Sequence, residues 1–116
     1  MPSRNRQLYI DDIVESISAI QEYVDGLSYD EFVADRKTYS AMIREYMIIG
    51  EAVGNLMEDL KAYSPEYPWQ RLKDFRNLIV HEYFGVDFRI IWDLTQKELP
   101  ILENHIQSFQ NKGHLD

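Results

Sequence analysis

The chain has 116 residues, 45% of them hydrophobic and 28% charged, a length that closes one compact core without staples. It contains no cysteine, which excludes disulfide frameworks, thiolate zinc sites and cysteine nucleophiles. Twenty acidic against twelve basic side chains give a formal charge of −8, a balance that argues against a protein held to nucleic acid by bulk charge alone.

After Met1-Pro2-Ser3-Arg4-Asn5-Arg6 no apolar run resembling a signal-peptide core follows. Apolar stretches such as Tyr46-Met47-Ile48-Ile49 are far shorter than the ~20 residues that span a bilayer. The expectation is a soluble cytoplasmic protein made of one domain over residues 1–116, with its core over about 6–110.

Leu8, Ile10, Ile13, Val14, Ile17, Ile20 and Val24 recur at three- and four-residue spacing, which predicts an amphipathic helix closed by Asp25-Gly26. Ser28 followed three residues later by Glu31 is a capping-box pattern and starts a short helix carrying Phe32 and Val33. A long helix is expected from about Asp35 to Ala62, with Met42, Tyr46, Ile49, Val53, Leu56 and Leu60 as its stripe. Gly50 and Gly54 interrupt its second face. Glycine inside a helix costs about 1 kcal/mol relative to alanine, and close approach of another helix is the expected reason.

Two prolines in Tyr63-Ser64-Pro65-Glu66-Tyr67-Pro68 mark a loop, after which Trp69 opens a helix reaching about Glu82. Phe84-Gly85-Val86-Asp87 reads as a turn whose aspartate caps the next helix. That last helix carries Phe88, Ile91, Trp92, Leu99, Leu102, Ile106 and Phe109, and Pro100 is expected to kink or divide it. No segment shows a sustained period of two. The fold class is therefore an all-α bundle of four to five helices.

No Walker-type loop, dinucleotide fingerprint or nucleophile elbow is present, and His81, His105 and His114 are too far apart for metal-ligand spacing. Neither metal nor cofactor is expected. One stretch concentrates chemistry: Arg76-Asn77-Leu78-Ile79-Val80-His81-Glu82-Tyr83. At about 100° per residue, Asn77 and His81 share a helix face, so the amide can orient the imidazole. Arg76 and His81 stand about 140° apart, and converge on one phosphate only if the helix distorts or two subunits share the site. An imidazole can move a proton at a ribose 2′-hydroxyl or a leaving oxygen, and an arginine can hold the phosphate between them. Without further context the bland alternative, an exposed arginine and a capping or core histidine, is the commoner case.

The arrangement Arg76-x4-His81-x-Tyr83 resembles the signature of the HepT toxins, minimal HEPN-domain ribonucleases of prokaryotic toxin–antitoxin pairs. The resemblance extends to Tyr9-Ile10-x-Asp12-Ile13, Ile48-Ile49-Gly50-Glu51-Ala52, Tyr67-Pro68-Trp69 and Val86-Asp87 with Trp92, in the expected order. It implies a HEPN-like bundle, a homodimer with motifs facing one cleft, and a metal-independent endoribonuclease acting on tRNA or mRNA in a type VII-like system. Arg76 and His81 would be catalytic, with Asn77 supporting the site. The implied partner is an MntA-like nucleotidyltransferase antitoxin that silences the toxin by AMPylating Tyr83. The alternatives are a non-catalytic HEPN interaction module that dimerises and binds a nucleotidyltransferase, and an acidic antitoxin or structural subunit that mimics nucleic acid.

Other positions remain open between two readings. Arg71 and Lys73 either contact RNA phosphates or sit on a solvated face. Glu51 either pairs with an arginine near the cleft or is solvated. Trp69 and Trp92 either stack on bases or belong to the core, which is the more usual place for them. His105 and His114 have no evident partner and read as surface residues, and Asp11, Asp12 and Glu15 as a solvated feature of the first helix. Apart from the resemblance, the more frequent reading of Tyr83 is an interfacial aromatic with its hydroxyl hydrogen-bonded.

The acidity is uneven. Residues 1–35 hold eight acidic and two basic side chains, residues 36–89 eight of each, and residues 90–116 four and two. The segment with the motif is thus neutral, which leaves room for a locally positive cleft on an otherwise acidic molecule.

Overall fold

The computed structural model describes residues 2–82 and 85–113. Seven α-helical segments occur among them and no strand: α1 (Pro2–Val24), α2 (Tyr29–Ala34), α3 (Arg36–Asn55), α4 (Met57–Tyr63), α5 (Trp69–Glu82), α6 (Phe88–Asp93) and α7 (Leu99–Ser108). Wider π-helical turns follow α6 over Leu94–Glu98 and α7 over Phe109–Gly113. No helix among the described residues is long and apolar enough to cross a membrane.

The chain punctuation works as the sequence predicts. Gly26 takes φ +79°, a left-handed conformation that glycine adopts without a Cβ penalty, and ends the turn after α1. Ser28 Oγ accepts from the Glu31 amide at 3.1 Å while Glu31 Oε1 accepts from the Ser28 amide at 2.9 Å, closing the capping box of α2. Asp35 caps α3 through Thr38, and Asp87 caps α6 by accepting from the Arg89 amide at 2.7 Å.

Two expected helices are each divided. The helix foreseen from Asp35 to Ala62 stops at Leu56 (φ −108°, ψ 10°), whose amide is shared between the Ala52 and Val53 carbonyls, and restarts as α4. The break turns the chain so that Leu56 and Leu60 both remain buried. The last helix divides at Pro100, as expected: proline cannot donate to the preceding turn, and the backbone widens into the π-helical turn just before it. With both breaks counted as interruptions, the described residues form five helices, within the expected all-α bundle of four to five.

The core runs along α1, α3, α5 and α7. Ile10, Ile13, Ile17 and Ile20 form the buried face of α1, whereas Leu8 and Val14 of the expected stripe are exposed. Tyr39, Met42, Ile43, Tyr46, Ile49 and Val53 face them from α3, and Leu99, Leu102 and Ile106 close the core from α7. Burying such side chains contributes about 1.5–3 kcal/mol each, so these helices hold together mainly through this face. Trp92 packs on Phe32 and Tyr29, with ring centroids 5.3 and 5.8 Å away, and Trp69 is buried with its indole N–H donating to the Ser64 carbonyl. Both tryptophans belong to the structure and not to a base-stacking surface.

His105 departs from its expected surface role. Its Nδ1 lies 2.9 Å from Ser64 Oγ, which also donates to Glu66, and its ring packs tilted against Tyr67, with centroids 4.6 Å apart. The long-range pairing of α7 with the loop before α5 leaves no trace in local sequence. His114 lies outside the described residues.

Candidate active site

α5 places the motif. Its buried residues Trp69, Leu72 and Ile79 recur at spacings that leave one further position on the same stripe, and that position is Arg76. A cation thus stands where the pattern asks for an apolar side chain. α3 makes this possible: a Cβ on Gly50 would lie 2.4 Å from Arg76 Cβ and 2.8 Å from the Leu72 carbonyl oxygen. Without that Cβ, the backbones approach closely and the arginine stem crosses α3 towards the surface. One turn on, Gly54 faces the stem of Lys73 at ordinary contact distance, 3.7 Å.

The guanidinium is held on two sides. Its Nη2 lies 2.9 Å from Glu51 Oε2, and its Nη1 donates to Asn77 Oδ1 at 3.1 Å. Nε is buried with no hydrogen-bond acceptor among the described residues. With side chains 33% and 59% exposed, Arg76 and Glu51 form a solvent-screened pair, the kind that contributes about 0–1 kcal/mol. An incoming phosphate can therefore compete for the guanidinium at little cost. Gly50, Glu51, Gly54, Asn55, Lys73, Arg76 and Asn77 line a cleft of about 230 Å³ between α3 and α5. Asn55 lies at its edge with its amide donating to the Glu51 carbonyl.

His81 lies in the last turn of α5 and is exposed. It does not line this cleft, consistent with the wide angle between it and Arg76. Lys73, Asn77 and His81 recur every four residues and form one ridge beside Arg76. Arg71 is elsewhere: it lines a groove of about 510 Å³ on the other side of α5, with Phe75, Leu78, Ile90 and Leu94. The structure brings Lys73, Arg76 and Asn77 together and leaves Arg71 apart. Tyr83 lies outside the described residues.

Three phenols of the interior serve the structure: Tyr39, Tyr46 and Tyr67 are all buried. Burial pushes the Tyr67 hydroxyl up to about 12, and it raises Tyr46, which also bonds Thr95 at 2.6 Å, still further. Tyr39 donates to the Val86 carbonyl at 2.7 Å, pinning the segment after the motif to α3. Among the described residues, no three His, Asp or Glu side chains are grouped so as to hold a metal ion.

The sequence exposed the glycines but not their partners. That Gly50 and Gly54 share a face is legible from their spacing; that Arg76 and Lys73 lie against them depends on how α5 returns over α3.

An all-α bundle that seats an arginine in a helix–helix cleft, with an amide and a histidine on the adjoining ridge, has the parts of a phosphodiester-handling site. The chain belongs to the HepT-like ribonuclease family, whose profile matches residues 13–109. It is 36% identical over 107 residues to the probable ribonuclease HepT of Thermococcus cleftensis, covering 92% of this chain and 97% of that one. An RNase-named protein of Methanocaldococcus jannaschii is 37% identical over 100 residues, covering 86% and 83% of the two chains. Another from Caldanaerobacter subterraneus is 36% identical over 104 residues, covering 90% and 93%. No solved structure matches the chain significantly.

Proposed function

We propose that the chain is a metal-independent endoribonuclease acting on tRNA or mRNA, the toxin of a type VII-like toxin–antitoxin pair. The observation that carries this reading is the seating of Arg76: an arginine placed on the core stripe of α5, whose stem crosses α3 at Gly50 so that its guanidinium lines a cleft. Family membership over most of the chain supports the same reaction class.

In the proposed reaction Arg76 binds the non-bridging oxygens of the scissile phosphate and stabilises the charge that gathers there. Lys73 holds a neighbouring phosphate, and Asn77 fixes the guanidinium. His81 takes the proton from the ribose 2′-hydroxyl, whose oxygen attacks phosphorus as the bond to the 5′-oxygen breaks, and the departing oxygen takes its proton from the imidazolium so formed or from water. Because His81 stands away from the cleft of its own chain, the histidine is supplied by a second subunit of a homodimer. A nucleotidyltransferase partner silences the enzyme by placing AMP on Tyr83, adding bulk and negative charge that repel RNA phosphate.

The test is cleavage of total RNA by unmodified protein in EDTA, with Arg76→Ala and His81→Ala each lowering the rate by about 10²-fold or more. Unmodified protein that leaves all RNA intact overturns the enzyme reading. The competing reading, a non-catalytic module, draws on the separation of Arg76 from His81 within one chain. Nucleotidyltransferase binding that survives His81→Ala, without growth arrest by either form, would favour it.

A further inference from the structure

A second groove, of about 290 Å³, lies between α1 and α3 and is lined by Tyr9, Asp12, Met47, Ile48, Glu51 and Ala52. It adjoins the arginine cleft, because Glu51 lines both. We propose that this groove is a nucleobase subsite that selects guanine beside the phosphate held at Arg76; the inference rests on the ribonuclease reading and extends it to base recognition.

The lining defines the occupant by elimination. Two carboxylates repel a phosphate, so the backbone of a bound strand stays on the Arg76 and Lys73 side of Glu51. Met47, Ile48 and Ala52 provide apolar walls, and Tyr9 provides an aromatic ring. The volume lies just below the roughly 300–1,000 Å³ range of sites for extended small molecules and suits a single ring system. A neutral, planar group rich in donors fits, and single-stranded RNA carries one next to every phosphate.

The polar groups choose among the four bases. Among the described residues neither the Tyr9 hydroxyl nor the Asp12 carboxylate has a hydrogen-bond partner, and Glu51 uses only Oε2, on Arg76. Ionised carboxylates only accept. Guanine alone offers two adjacent donors, N1–H and the N2 amino group, which match one carboxylate in a fork. Adenine and cytosine set a ring acceptor beside their amino group. Uracil places its single N–H between two carbonyls, which would face the carboxylate. Glu51 then reads both parts of a nucleotide, holding Arg76 with one oxygen and leaving the other towards the base.

The experiment is an NMR titration of the full chain with GMP, AMP, CMP and UMP, together with mapping of cleavage sites on single-stranded RNA. GMP is expected to move the Tyr9, Asp12, Ile48 and Ala52 amides most and to bind tightest, with cuts falling next to guanines. Asp12 is exposed, so Asp12→Asn keeps the fold. The variant should lose about 5- to 100-fold in GMP affinity relative to UMP, the range for one bidentate base contact. A simple gain in affinity for all four, the effect of removing one negative charge, overturns the proposal. So do equal binding of the four nucleotides and shifts confined to the Lys73–Asn77 cleft. Guanine-selective binding in the groove without RNA cleavage would refute the enzyme and leave the subsite standing. Cleavage indifferent to base and to Asp12→Asn would do the reverse.

Discussion

Gly50 and Gly54 stand one turn apart on α3, yet they answer different needs. At Gly50 an added methyl would press on Arg76 Cβ and on a backbone oxygen, neither of which can swing away. Overpacking of this kind costs about 1–3 kcal/mol, against the ~1 kcal/mol that alanine returns in helix propensity. Gly50→Ala is therefore expected to lower the thermal midpoint and, by displacing α5, to lower RNA cleavage as well. Gly54→Ala meets only the flexible Lys73 stem at ordinary contact distance and should be neutral or stabilising by up to about 1 kcal/mol. Thermal and denaturant unfolding of the two variants side by side checks the contrast. The basic residues divide in a similar way. Lys73 lines the Arg76 cleft and Arg71 does not, so Lys73→Gln should reduce the salt dependence of RNA affinity, by about 0.7 in logarithmic slope for a single strand. Arg71→Gln should leave that slope unchanged in the same binding series. Residues two apart on a helix point nearly opposite ways, so this division was latent in the sequence; which side held the cleft was not.

At the scale of elements, the ends of helices were the most legible features, because caps are made by residues a few positions apart. Ser28 with Glu31, Gly26 and Asp87 each act where local chemistry places them. The break at Leu56 escaped because burial on both sides of it, not a proline or a cap, decides it. The Ser64–His105 pairing escaped because its partners are 41 positions apart. The cap at Asp35 carries a pH signature. The Thr38 hydroxyl, at 2.7 Å, and next the Thr38 amide hold the Asp35 carboxyl below its ordinary 3.8. A carboxyl lowered on folding adds stability above its unfolded value and loses it as pH falls through the folded one. Asp35→Ala should therefore be less stable than the parent near neutrality, with the gap closing as pH drops below about 4. Urea midpoints of both proteins from pH 7 to pH 2 measure it, and a gap that stays constant with pH would exclude an ionised cap.

For the whole molecule, the proposed reaction requires a chain with excess negative charge to bring its basic residues and its histidine onto one phosphate. Arg76 faces α3 while His81 is turned about 140° away and lies about 7.5 Å further along the helix. Leu78 and Ile90, 40% and 48% exposed, line one groove beside α5 and offer an apolar surface that suits burial against a second copy. If two copies pair about a two-fold axis, each site takes Arg76 from one chain and His81 from the other. Mixing then has a definite outcome. Arg76→Ala and His81→Ala proteins should each be inactive alone, whereas a mixed dimer would hold one site with both native residues and one with neither. When equal amounts are unfolded and refolded together, half of the dimers are mixed, and about a quarter of the parental cleavage rate should return. A site contained within one chain predicts no recovery at all. Light scattering on the same samples separates a failure to pair from a failure to share, so the recovered rate reads directly whether the two halves of the motif meet across the interface.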